Sequence, residues 1–338
     1  MLKTLDLSDN AWVYRGLDNL RPDGKGFAHE LALGLSGQPT GALLKNLNIS
    51  GNQIPRETMN DIIPLCKDSP KMQVLCGVPF NNMSETHLDV SGKHLDVEGA
   101  FVVIDYLQAN DHLTELNASN NDMFKSYDKC TIEAWTDVLT DNSTLTNLNL
   151  ANNKMVESDA KTLADGLSTN RVLTSLNISG NDLFYDDPRN QAGKALSDML
   201  KKNKTLQYLD ISNCIIIESA SLDTSNSDYA TGIYFAEAFA DCLLTNDTLT
   251  HLNIRANRMD DAGARALAGC LRANDALTHL DISDNHIQAE GALAFADVLT
   301  PQKVCENGQL FEERILTVSY THLRAHETGR IGGWGGGG

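Results

Sequence analysis

Apolar and polar residues recur in a fixed phase along this chain. Leu2, Leu5 and Leu7 are followed by Asn10, Leu44, Leu47 and Ile49 by Asn52, and Leu145, Leu148 and Leu150 by Asn153. The same LxxLxLxxN spacing returns at 173–181, 249–257 and 277–285. Three copies are imperfect: Ala118 takes the third apolar place at 113–121, Cys214 takes the Asn place at 206–214, and the copy around Leu88 and Val90 begins on Glu85 and carries Lys93 in the Asn place. A shortened copy begins at Met72. Copies begin 28 residues apart from 44 to 72, 85 to 113, 145 to 173 and 249 to 277, and the longer spacings read as this period with insertions. The 13 residues between 72 and 85 leave room for a strand without its helix. Self-similarity at such a period is the mark of a stacked repeat.

Within each copy the alternation predicts a short strand with one buried face. The second half changes period: Ala264, Leu267, Ala268 and Leu271 recur at three and four, which predicts an amphipathic helix. Asn stands three residues before the next copy at 110, 142, 170, 203, 246 and 274, where a left-handed helix end is predicted. Each unit is then strand, loop, helix, turn. Strands stack about 4.8 Å apart and helices need about 8 to 10 Å, so the stack curves with the strands inside. The Asn closing each strand motif is expected to bond backbone groups of the neighbouring loop. That ladder, the helix-end positions and the inner strand face give the 30 Asn of the chain a structural cause.

These repeats resemble the leucine-rich-repeat family, and their 28-residue period resembles its ribonuclease-inhibitor-like class, which includes the repeat domains of NOD-like receptors, tropomodulin and the Ran GTPase-activating protein. The resemblance covers residues 1–300. It implies an α/β solenoid, a horseshoe of nine to ten units with parallel strands on the concave face and helices on the convex face. It also implies a protein-interaction module with no catalytic activity of its own. A GTPase activator similar to the Ran activator, or the ligand-sensing portion of a NOD-like receptor, stands as the alternative; no motif of either transfers residue by residue.

Residues 318–328 read VSYTHLRAHET and run into GRIGGWGGGG, which resembles a translated sequencing adaptor, so His322, His326 and Trp334 are set aside. Residues 301–317 are either the start of a further repeat or already disturbed sequence. The chain opens on the first Leu of a repeat, without the polar cap a solenoid end requires, and a fragment of a longer protein is the expectation.

Charge narrows the classes of partner. With 45 acidic and 27 basic residues the formal charge is -18, which excludes a basic nucleic-acid footprint. Apolar stretches such as GAFVVIDYLQA fall short of the roughly 18 to 20 residues that cross a bilayer, and no secretory signal follows Met1, so a cytoplasmic protein is expected. The cysteines form no CxxC pair and read as reduced; Cys242 and Cys270 share one repeat position and read as core thiols. GxxxxGK[ST], HExxH and GxSxG are absent, and no enzyme active site, cofactor or metal is expected.

The residue between the second and third apolar positions should face the concave side: Asp6, Asn48, Asp89, Asn117, Asn149, Asn177, Asp210, Asn253 and Asp281. This polar, mildly acidic sheet either solvates the strands or docks a basic or polar protein. His251 and His279 hold equivalent places in adjacent repeats, about 5 Å apart by strand spacing, with Arg255 and Asp281 nearby. Two imidazoles without a third ligand do not make a metal site, which leaves a partner contact or a solvated pair. Insertions after the strands carry Tyr127, Phe184, Tyr185 and Asp187 on one rim, where aromatics beside charges would anchor a partner unless the rings fold back onto their own loops.

Overall fold

The computed structural model describes residues 3–10, 44–69, 71–79, 84–125, 130–184, 190–214, 228–299 and 317–319. Its strands are β1 (Thr4–Asp6), β2 (Asn46–Asn48), β3 (Val74–Leu75), β4 (Val78–Pro79), β5 (His87–Asp89), β6 (Glu115–Asn117), β7 (Asn147–Asn149), β8 (Ser175–Asn177), β9 (Tyr208–Asp210), β10 (His251–Asn253), β11 (His279–Asp281) and β12 (Thr317–Ser319). The described helices are α1 (Arg56–Asp68), α2 (Val97–Ala109), α3 (Cys130–Asp141), α4 (Glu157–Leu167), α5 (Gln191–Lys202), α6 (Asp228–Leu243), α7 (Asp261–Leu271) and α8 (Ala289–Leu299). The alternation of strand and helix is that of an α/β leucine-rich-repeat solenoid.

β2 and the strands β5 to β11 each send one leucine inward, and parallel pairing aligns equivalent motif positions, with Leu148 beside Leu176, Leu209, Leu252 and Leu280 in turn. These leucines are buried against the inner stripes of the helices; on α7 that stripe is Ala264, Leu267, Ala268 and Leu271, the set predicted from period. Full burial of each leucine contributes roughly 1.5 to 3 kcal/mol, so a narrow strand suffices when many are stacked. β12 crosses the expected junction at 317/318 and pairs with β11, Val318 beside Leu280. Among the described residues no helix is long and apolar enough to cross a membrane.

The sheet is interrupted once among these strands. β1 to β4 form one sheet and β5 to β12 another, because β4 turns back antiparallel to β3. The turn runs through Cys76 and Gly77 at φ 48° and 81°, where glycine removes the steric penalty of the left-handed region. This hairpin occupies the shortened 13-residue spacing.

The asparagine ladder has a regular wiring. Asn181 donates from Nδ2 to the carbonyls of Leu150 (3.0 Å) and Ile178 (2.9 Å), while its Oδ1 accepts the amides of Asn153 (2.8 Å) and Met155 (3.1 Å). Asn285 does the same for Ile254, Ile282, Asn257 and Met259. The residue before each rung is left-handed, as at Asn152, Gly180, Ala256 and Asp284.

The helix-end asparagines differ from expectation. None of the six has a positive φ; Asn110 and Asn203 are extended, at φ -107° and -74°. The chain passes straight into the next strand, and the side-chain amide does what a left-handed turn would have done. Asn203 Oδ1 accepts the amides of Thr205 and Leu206, and its Nδ2 donates to Leu167 O at 2.8 Å, the end of the preceding helix. Asn246 and Asn274 reach back in the same way to Leu200 O and Leu243 O, both at 2.7 Å. A second amide ladder therefore runs beside the first.

At the sheet break a rung is missing, since Phe80 stands in the Asn place of the shortened copy. Glu98, in the first turn of α2, replaces it. Its Oε1 accepts the amides of Asn52 (3.1 Å) and Ile54 (2.8 Å), the two donors that an Asn would have served, and Asp96 accepts the amide of Gly51. Glu98 is only 1% exposed, and burial together with the Asp96 carboxylate pushes its carboxyl up to about 8.

Candidate functional site

The inner face of the sheet carries side chains in rows, because parallel register places equivalent residues side by side. On β9, β10 and β11 the first row is Tyr208, His251, His279 and the second is Asp210, Asn253, Asp281. The imidazoles of His251 and His279 are stacked with centroids 4.0 Å apart and planes 8° from parallel, and the Tyr208 ring lies 6.1 Å from that of His251. Thr250 and Thr278 fix both rings through contacts from Oγ1 to Nδ1 of 2.8 and 3.0 Å. Burial and then the neighbouring His279 hold His251 below its ordinary pKa. Burial and the carboxylates of Asp210 and Asp281 hold the Tyr208 hydroxyl above its own.

The second row has a structural duty. In every regular unit the Asn or Asp side chain bends forward to accept the amide two residues on, as Asn149 does from Ala151 (3.0 Å) and Asn177 from Ser179 (2.9 Å). Asp281 accepts both the amide and the hydroxyl of Ser283, at 2.9 and 2.6 Å. Serine thus accompanies these residues because it closes the turn, and one acceptor of each side chain is committed. The amide and then the hydroxyl of Ser8 hold Asp6, and the hydroxyl and then the amide of Ser91 hold Asp89, below the usual carboxylate range.

Several expected site residues stand elsewhere than on an open surface. Asp210 is 8% exposed, covered by Asn253 Nδ2 at 2.9 Å on Oδ2 and tied through Oδ1 to Ser212 N. Phe184 is 1% exposed and packs on Phe235 at 4.7 Å, which in turn packs on Phe239. It is a core ring, because the widened unit ending in α6 brings two phenylalanines against the strand loop. Arg255 is held by Asp284 of the next unit, Nε to Oδ2 at 2.7 Å, and does not stand as an isolated cation. Tyr127, Tyr185 and Asp187 lie outside the described residues. Tyr208, Thr250 and Thr278 were not expected at the site, although reading the first strand position as a column would have found the tyrosine.

Burial pushes the thiols of Cys66, Cys76 and Cys242 up to about 12, far from the thiolate a nucleophile needs. Among the described residues no three His, Cys, Asp or Glu side chains converge as a metal cluster. A cleft of about 1150 Å³ opens at the sheet break, lined in part by Asp9, Arg56, Lys93, His94 and Lys125. Its acids Asp96 and Glu98 serve backbone amides, so these two carboxyl groups are committed to the fold.

A family model described as "Leucine Rich repeat" matches residues 169–184, 245–268 and 274–296. Among solved structures the chain is similar to the leiomodin-1 actin-binding site 2, at 17% identity over 60% of this chain and 87% of that one, with a TM-score of 0.35. It is also similar to an internalin from Listeria monocytogenes, at 16% identity over 75% of this chain and 78% of that one, with a TM-score of 0.33. No curated protein matches the sequence.

Proposed function

We propose, from the premise that this chain is a leucine-rich-repeat protein, that it is a protein-docking scaffold with no catalysis of its own, holding a basic or polar protein on its concave face. The observation that carries this reading is the double row on β9 to β11. Aromatic and imidazole rings stand beside an acidic and amide row on an inner sheet face, in a chain of net charge -18. Rings supply contact area at low entropic cost, and the acidic field selects a basic partner. The 28-residue period supports the ribonuclease-inhibitor-like class, and the thinly spread cysteines of the sequence are in keeping with a cytoplasmic setting. The same reading takes 1–300 as the solenoid and 318–338 as an appended sequence.

A photoreactive residue at Asn149 or Asn253, compared with one at the exposed Lys202 on α5, tests the reading. We expect a discrete crosslinked protein from the sheet positions and none from Lys202. Crosslinking from the helix alone would overturn it. Stimulated GTP hydrolysis across a panel of small GTPases would replace it with an activator.

A further inference from the structure

Resting on that docking reading, we propose that Tyr208, His251 and His279 form a receptor for an arginine side chain of the partner protein, in which two bare imidazole Nε2 atoms standing side by side accept from one guanidinium.

Thr114, Thr146 and Thr174 each donate their hydroxyl to a carbonyl one strand back, at 3.0, 3.0 and 3.1 Å, in units without histidine. Thr250 and Thr278 continue this ladder to Gln207 O and Thr250 O, both at 3.1 Å. A hydroxyl has one proton. With that proton on the carbonyl, each Oγ1 is left as an acceptor toward its histidine, so Nδ1 carries the ring hydrogen and Nε2 keeps a lone pair. Among the described residues the hydrogen bonds of these two rings are at Nδ1. His87 is the contrast: its Nε2 meets Glu115 Oε1 at 3.3 Å, and its Nδ1 lies 2.7 Å from Thr86 Oγ1. There the hydrogen sits on Nε2 and the ring is already engaged.

Two rings stacked in parallel and anchored at the same atom present their Nε2 lone pairs in the same direction. A carboxylate approaching them would meet lone pairs and the neighbouring Asp281. An ammonium satisfies acceptors as a point charge, whereas guanidinium is a planar fork that reaches two acceptors at once. The Tyr208 ring continues the row beside His251 as apolar contact area next to the pair. Among the described residues the titratable groups facing the pair are Tyr208, Asp210 and Asp281, with Arg255 held by Asp284, and β12 places the uncharged Thr317 in register. Protonating either imidazole converts its acceptor to a donor and sets cation against cation. Receptor function therefore falls as His251 takes up a proton, which burial and then His279 defer to below the ordinary imidazole range.

Long-range proton–nitrogen spectra of the labelled protein read the tautomers directly. We expect Nδ1–H at His251 and His279 and Nε2–H at His87. N-acetylarginine amide should move both Nε2 resonances, N-acetyllysine amide should bind about fivefold more weakly, as loss of one net hydrogen bond implies, and both responses should weaken as His251 is titrated to its protonated form. Thr278→Val should shift His279 toward Nε2–H and weaken the arginine response about fivefold while backbone amide spectra stay native. Nε2–H at either ring of the unaltered protein, or equal response to the two probes, would overturn the proposal. If the arginine response is absent but crosslinking at Asn253 persists, only the receptor fails. If both are absent, the docking reading fails with it.

Discussion

Glu98 shows how one side chain can complete a repeat that the sequence left incomplete. Its carboxyl takes the place of an asparagine amide, which is neutral, and burial with Asp96 alongside raises its pKa from 4.5 to about 8. Between those values the folded protein binds more protons than the unfolded chain, so this group's contribution is full below about 4.5 and is lost as pH rises toward 8. Glu98→Gln keeps the acceptor without the charge. The difference in urea midpoint between wild type and this variant should therefore grow in the variant's favour from pH 5 to pH 8, and a flat difference would refute the assignment. Cys214 offers the complementary case. Its thiol reaches Ile178 O and Ser212 O at 3.5 Å, a weak version of an Asn rung. Cys214→Asn is expected to raise stability by about 1 kcal/mol in denaturant unfolding, and Asn181→Ala to lower it by about 1 to 3 kcal/mol by leaving buried backbone groups unpaired.

At the scale of elements, spacing made the strands and helices legible because a stacked register must repeat, and a residue that breaks phase has no partner beside it. Burial of inserted residues was not legible. Phe184 reads as a rim aromatic because it follows a strand in an insertion, yet Phe235, 51 residues later by number, closes over it. Replacing Phe184 with Ala should cost about 3 to 5 kcal/mol in thermal or denaturant unfolding, the range for a core aromatic and well beyond that of a surface ring. Glu98 escaped notice for a related reason: an acid in a first helical turn looks like an ordinary solvated residue, and its partners Asn52 and Ile54 lie in another unit. The helix-end asparagines were found in the right places with the wrong mechanism, since their role lies in side-chain bonds between units and not in their own backbone angles. The concave row was half legible: His251 and His279 declared themselves by matching positions, while Tyr208 and the orienting threonines required the structure.

The whole molecule is acidic, and a basic partner would be drawn to it over distances longer than a contact. Its association rate should fall steeply as salt rises from about 50 to 500 mM while dissociation changes little, because the Debye length drops from roughly 14 to 4 Å; stopped-flow measurement separates the two. The antiparallel turn of β4 has a different consequence. In a linear stack, stability passes from neighbour to neighbour, so an interrupted backbone ladder limits how far cooperativity spreads. Amides of the segment carrying β1 to β3 should exchange with solvent through openings of lower free energy than those of β6 to β10, in two resolvable classes. The hairpin should thus act as a partial firebreak: with the backbone ladder broken there, melting of the far block reaches the surface carrying His251 and His279 through side-chain links such as those of Glu98 to Asn52 and Ile54.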